Sequence, residues 1–584
     1  MRMRRHGRRH GAWSMALSLG LLSAGGCRDD VEGSADETGS TGAGQTDEPP
    51  ADTTEGETDT DDPPGSESGE PPQDAVPPPG GLRRLLAHQY VSSIEYLLGP
   101  QAAAVTTAPI DPSLGTFDSL ATLSSVPSVL DIESYEGSAG TVAQAAVEDP
   151  TRLGQFVPCV VDGPFDDSCY ERLARDFGRV AWRRELTDAQ IERLVAVATT
   201  AREWGEGEFM PGVEYMLTAI LQSPYFLYLV ELGSELGSET GEPSDEYREL
   251  TGVELATRMS FFLLGRTPSV GVLDRAQSGE LDSDQGVREL ARELLEEPLA
   301  RRTVGRFFAE LLTVRDLPSK GKDPTLFPMF SEALADAMLE ETLRLVDDVV
   351  FAQDASAMRL FDADYTFVND PLAALYGYDP VGGGQWMQVP LPEGRAGLLS
   401  LSGWLAMSSH NTVNSPTRRG LFVMEQLLCT ELPPPPPRVN PEPIEPVEGQ
   451  TLRESLVTLT GESPCSDCHV LTDSIGFGFE HFDPLGAWQD LDNGQPVDAS
   501  GHLPGVGEFY GASELADLLV TSPNLSRCLV DKAYAANLGF VPESEMAPAL
   551  DAVDRSFVEA DHDLKHMLVE LTASPVFRLV DEPK

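Results

Sequence analysis

Cys465-Ser466-Asp467-Cys468-His469 sets two thiols three residues apart, with an imidazole directly after the second. On one helical turn, thiols at this spacing can add to the two vinyl groups of a haem, and the adjacent imidazole can reach its iron. This is the C-x-x-C-H pattern of c-type haem attachment, and one copy implies one covalent haem c per chain, with His469 as proximal ligand. Three other chemistries use parts of the pattern. A structural zinc wants a second Cys/His pair at short spacing, and none follows. A thioredoxin-like dithiol sits in a βαβ pattern, and none surrounds this one. A plain structural disulfide stays open.

A six-coordinate iron needs a second axial ligand. The choices are Met407, His410, Met424, His481 and His502. His410, in the polar run Met407-Ser408-Ser409-His410-Asn411, is the leading protein donor, with Met407 next. Competing readings are a solvated loop histidine at 410 and an iron left open or water-bound. Met424, on the apolar face of Leu421–Leu428, reads as core, and His481 as a packing residue near the site. Arg418 and Arg419 suit haem propionates, because guanidinium forks suit carboxylates, or equally a helix-terminus ion pair. Glu480 and Asp483 read as structural. No Ser-His-Asp order, phosphate loop or dinucleotide fingerprint occurs.

The N-terminus indicates where such a site is loaded. Met1–His10 holds five arginines and no acid, Trp13–Leu22 is short and mostly apolar, and Leu22–Gly26 puts small residues before Cys27. That order is a secretory signal, too short for a membrane helix. With a cysteine at the expected cleavage point it resembles a bacterial lipobox, in which the thiol is lipidated; the alternative is an ordinary signal peptide with an incidental Cys27. From Arg28 to Gly80 there are 16 acids, one base and no Leu, Ile, Phe, Met, Trp or Tyr. Such a segment cannot bury enough apolar area to offset its ordering entropy and reads as a disordered tether.

Setting Cys27, Cys465 and Cys468 aside leaves four of the seven cysteines, an even number in an oxidising compartment. Cys159 and Cys169 bracket a Gly-Pro turn and close a short loop. By elimination Cys429 pairs with Cys528, a long closure contributing roughly 4–5 kcal/mol on the chain-entropy model.

The elements that must position these groups are mainly helical. Apolar residues recur at three or four positions in Leu82–Leu98, Val213–Leu232, Leu255–Leu264, Gly286–Leu312 and Ser331–Val350, with a shorter run near Thr141–Val147. Thr187-x-x-Gln190 and Thr251-x-x-Glu254 are capping boxes. Pro433–Pro437 is a stiff connector. The chain of 584 residues carries 41 Lys+Arg against 95 Asp+Glu, a net charge of −54. So acidic a chain repels phosphate backbones, which excludes nucleic-acid binding. After residue 27 no run of 18 apolar residues occurs, so a lipid anchor would be its only membrane attachment.

Several stretches in order resemble one family. Leu82–Leu85 through Tyr96–Gly99, Ala181–Thr187, Ser223–Tyr228, Arg258–Leu264, Tyr365–Asn369, Ser415-Pro416 with Arg419-Gly420, Ile475–Phe477, Glu480-x-Phe482-Asp483 and Ser574-Pro575-x-Phe577 are its fragments. They are similar to large exported proteins abundant in planctomycetes and myxobacteria, assembled from domains of unknown function around a planctomycete-type cytochrome c domain. The resemblance implies helical modules with a small c-type haem domain. Their bounds would be a signal peptide to 27, tether 28–80, helical domains 81–150, 151–238 and 248–380, the cytochrome-type domain 385–510, and a closing helical domain 511–584. It implies an exported, lipid-anchored, single-haem electron-transfer protein facing the periplasm or cell surface, with an unnamed redox partner there. Two alternatives stand beside it: a peroxidase-like oxidoreductase with an open iron, and a surface protein binding, for example, polysaccharide. The family often has histidine six residues before the first haem cysteine and Met-Asp-Pro after the haem histidine, where this chain has Leu459 and Thr472-Asp473-Ser474. The sixth ligand should therefore come from outside residues 459–483 or be absent, and His481 should not sit on the iron.

Lipidation at Cys27 predicts globomycin-sensitive processing and membrane association lost in Cys27→Ala. A Cys27→Ala protein that still fractionates with membranes would place the anchor elsewhere.

Overall fold

The computed structural model describes residues 76–581 except 113–114, 123–125, 236–246, 434–443, 445–446 and 464. The signal, Cys27, most of the expected tether and Pro434–Pro437 lie outside the described residues. Helices dominate, and among the described residues the largest sheet has three strands. No described helix is long and apolar enough to cross a membrane.

Local signals place many helix ends. Thr187 accepts from the Gln190 amide at the start of Asp188–Trp204, and Thr251 from Glu254 at the start of Gly252–Leu264, both as full capping boxes. Ser331 caps Glu332–Asp347. Two expected runs are broken by proline, which lacks an amide donor and clashes with the preceding turn. Gly286–Leu312 becomes Asp284–Leu295 and Pro298–Leu311. Val213–Leu232 becomes Phe209–Leu221, the short turn Pro224–Leu227, and then a strand, Tyr228–Glu231.

That strand has a partner the helical period concealed. Leu82 opens no helix; Gly81–Arg84 is a strand paired antiparallel with Tyr228–Glu231, Gly81 opposite Glu231, and the helix starts at Ala87. Residues before it are also placed: the Gly80 amide donates to the Asp581 carbonyl at 3.0 Å, and the Asp581 amide to Pro78 at 2.8 Å. The closing strand Leu579–Val580 pairs with Arg248–Glu249, which pairs with Ser234–Glu235. The two ends of the described chain therefore lie side by side.

Three apolar clusters form the interior. One gathers Tyr90, Ile94, Tyr170, Phe177, Met216 and Phe226 from the N-terminal third, with the bonded Cys159 and Cys169 inside it. The largest joins Phe117 to residues between Leu250 and Val580 and takes in Phe308, Trp404, Phe479, Tyr534 and Phe577. A smaller one packs Leu334, Met338, Leu372 and Leu375. Cys429 and Cys528 are bonded, tying the segment after Pro416–Phe422 to the helix Pro523–Leu538.

Between the first two clusters lies a buried ion cluster. Glu231 Oε1 accepts from Arg258 Nε at 2.9 Å and from Arg83 at 3.0 Å. Arg258 also donates to the Phe577 carbonyl at 2.6 Å, and Arg83 to the Asn537 carbonyl. Burial by itself would raise the Glu231 carboxyl, but Arg258 and Arg83 outweigh it and hold it at about 2. Removing the carboxylate strands two guanidinium groups in the interior, so Glu231→Gln should destabilise the fold by roughly 3–5 kcal/mol in urea unfolding. The depressed folded pKa sets the sign: the loss is full above the ordinary carboxylate value of 4.5 and shrinks as pH falls from there through about 2. A Glu231→Gln protein as stable as wild type at pH 7 would contradict this.

Candidate functional site

The Cys465–His469 motif opens the helix Ser466–Gly476, where the Cys465 carbonyl accepts from the amides of Cys468 and His469 at 3.3 and 3.1 Å. Both thiols and the imidazole thus belong to one helical turn. The thiols are not bonded to each other, Cys465 being exposed and Cys468 half-buried. Among the described residues no group of three or more His, Cys, Asp or Glu side chains is placed to hold a metal ion.

This helix lies tight against Pro416–Phe422. A Cβ on Gly420 would come within 1.7 Å of the Thr472 carbonyl oxygen, and one on Gly476 within 1.9 Å of that of Pro416, so any side chain at either position would force the helices apart. The close approach lets Thr417 donate to Asp473 Oδ1 at 2.7 Å, with the Thr472 hydroxyl on the same oxygen at 3.3 Å. Asp473 Oδ2 then meets His469 Nδ1 at 2.9 Å, one turn back along the helix. A carboxylate only accepts, so Nδ1 donates and Nε2 keeps its lone pair available to a metal. The hydrogen bond to Asp473 raises the imidazole above its ordinary pKa, against the opposing effect of burial.

Beside His469 opens a cavity of about 350 Å³, within the range of roughly 300–1,000 Å³ usual for ligand clefts. Val457, Val470 and Phe477 give it apolar wall, and Arg453, Asp473 and His502 give it polar groups. Arg453 lies over the Phe477 ring at 4.4 Å and donates to the carbonyls of Asp498 and Ser500 at 2.9 and 2.6 Å. His469 lines this cleft, whereas the free thiols of Cys465 and Cys468 lie beside it on the same turn and do not line it.

Other residues singled out from the sequence are elsewhere. His410 does not line the cavity; burial, Arg418 and Lys322 push its imidazole down to about 4, and its carbonyl accepts from Lys322 at 2.8 Å. Met424 is buried in the largest cluster, and Met407 is packed against it. His481 is stacked on Trp488 at 4.5 Å, with Nδ1 at 2.9 Å from the Gln489 carbonyl. Arg419 is fully buried, donating to the Phe479 carbonyl at 2.8 Å and Ser409 at 2.9 Å, and burial lowers it to about 10. It holds the turn below the helix, and Arg418 is exposed; the guanidinium at the cavity is Arg453. Glu480 is buried, pushed up to about 8 by burial despite Arg419, and Asp483 accepts from the Leu485 and Ala487 amides. Leu459 is exposed. Sequence reasoning passed over Arg453 and the pairing of Asp473 with His469, although the i, i+4 spacing of that pair on a helix signals it.

Asp473 controls the His469 titration. In the Cys465→Ser, Cys468→Ser protein, NMR should place His469 above its ordinary value of 6.5, and adding Asp473→Asn should bring it down. A raised folded pKa stabilises the fold fully below that ordinary value, and the contribution is lost as pH rises through the elevated one. An unchanged His469 titration in Asp473→Asn would refute the pairing.

Three stretches match known domain families. Residues 169–231 match PSD5, a protein of unknown function (DUF1595); 250–378 match PSD4, a protein of unknown function (DUF1592); and 395–492 match PSCyt3, a protein of unknown function (DUF1588). The last contains the Cys465–His469 helix, the glycine crossing and Asp473. No curated protein and no solved structure matches the chain. Surface-type domains and two disulfides accord with an exported protein. Along the chain, PSD5, PSD4 and PSCyt3 matches follow one another, the planctomycete-type surface-domain and cytochrome-domain families to which these three stretches are similar.

Proposed function

We propose that this protein is an exported, lipid-anchored c-type cytochrome carrying one haem, which passes single electrons to a redox partner outside the cytoplasm. The observation that carries the reading is the turn Cys465–His469: two free thiols beside an imidazole whose Nδ1 is held by a buried carboxylate, at the edge of an apolar cleft. Haem c attached there would supply a one-electron couple.

The chain's own groups have separable roles in this reading. Cys465 and Cys468 attach the group, and His469 offers Nε2. Asp473 fixes the ring and increases its basicity, and Thr417 fixes Asp473. Phe477, Val457 and Val470 offer apolar surface to one side of the group, and Arg453 is placed to meet a propionate. The carboxylates near the site favour the oxidised cation and lower the potential.

Expression of the full chain with a haem-attachment system tests this. Covalent haem should survive on a denaturing gel and vanish in Cys465→Ser, Cys468→Ser. His469→Ala should impair attachment and lose any low-spin signature. Sharp reduced α and β bands unaltered by carbon monoxide support electron transfer. A high-spin spectrum shifted by carbon monoxide would support the oxidoreductase alternative, and no haem at all would sink both.

A further inference from the structure

We infer that His502 is the second axial ligand of the iron, so that two imidazoles hold the haem. This rests on the haem reading of the Cys465–His469 turn and adds the ligand that turn does not contain. Among the described residues lining the cavity, His469 and His502 are the only histidines, and there is no methionine. These are the two residue types that complete the coordination of an electron-transfer haem.

His502 lies on the strand Ser500–Leu503, paired antiparallel with Gly507–Tyr510 so that His502 faces Glu508 across the hairpin. Its Nδ1 meets Glu508 Oε1 at 3.0 Å. The carboxylate accepts, so Nδ1 donates and Nε2 keeps its lone pair, as at His469 with Asp473. Holding the distal ring nitrogen of an imidazole with a carboxylate is the usual support of a metal ligand. The hairpin is fixed to the proximal helix: Ser474 donates to the His502 carbonyl at 3.1 Å, and a Cβ on Gly501 would meet the Ser474 carbonyl oxygen at 2.4 Å. The His502 side chain is half-exposed on a backbone fixed to the proximal helix. His410, Met407, Met424 and His481 are each held away from the cavity. The hairpin lies beyond the PSCyt3 match, which ends at residue 492.

The test compares the full exported chain with His502→Ala, Glu508→Gln and His481→Ala after haem attachment, by denaturing gel and by absorbance and EPR spectra. Wild type should be low-spin in both oxidation states and blind to carbon monoxide. His502→Ala should keep its covalent haem but turn high-spin and bind carbon monoxide, and added imidazole should restore the low-spin form. Glu508→Gln should stay low-spin with a raised potential, and His481→Ala should match wild type. A low-spin His502→Ala spectrum identical to wild type, or a high-spin wild type, overturns the ligand while leaving the haem reading intact. Absence of covalent haem from wild type on the gel overturns the haem reading and the ligand with it.

Discussion

Glu231 is buried and charged between Arg83 and Arg258, and in an interior of low polarisability none of the three can leave without stranding the charge of the others. Each brings a different part of the chain. Arg83 comes from the first strand, Glu231 from the strand after the N-terminal helices, and Arg258 from the middle of the apolar helix Gly252–Leu264. One further donor of each arginine reaches a carbonyl, Arg83 that of Asn537 and Arg258 that of Phe577, so the closing helices are drawn to the same point. Edge pairing of Leu579–Val580 with Arg248–Glu249 then follows. Helical segments that share little sequence proximity are thereby held as neighbours, and the largest cluster gathers residues from as far apart as Phe117, Leu250 and Val580.

The site uses the same device on a smaller scale. Gly420 and Gly476 permit a crossing too close for any side chain, and that distance is what brings Thr417 to Asp473. Asp473 in turn dictates which nitrogen of His469 carries the proton. Orientation of the imidazole therefore depends on two residues with no donor atoms in their side chains. Arg419, fully buried below, holds the Phe479 carbonyl at the end of the Phe477–Phe479 turn, so the helix is anchored at its far end as well. A turn built in this way is fixed where the imidazole is presented and open where the thiols lie.

Local chemistry was legible in the residues alone. The capping boxes at Thr187 and Thr251, the single turn of Cys465–His469 and the pairing of four leftover cysteines all depend on spacing or count, and the structure contains each. The mainly helical class followed from apolar period for the same reason. Contacts between distant segments were not legible. Leu82–Leu85 and Tyr228–Glu231 fit a helical period as well as a strand, and only their pairing with each other decides between them. Arg418 and Arg419 stood near the motif in sequence, whereas Arg453 reaches the cavity; His410 looked like a free donor, whereas the cavity receives His502. Spacing along a chain determines which side chains share a turn. Which turns meet is decided by burying apolar faces and matching buried charges over hundreds of residues, and that selection is made only in the tertiary fold.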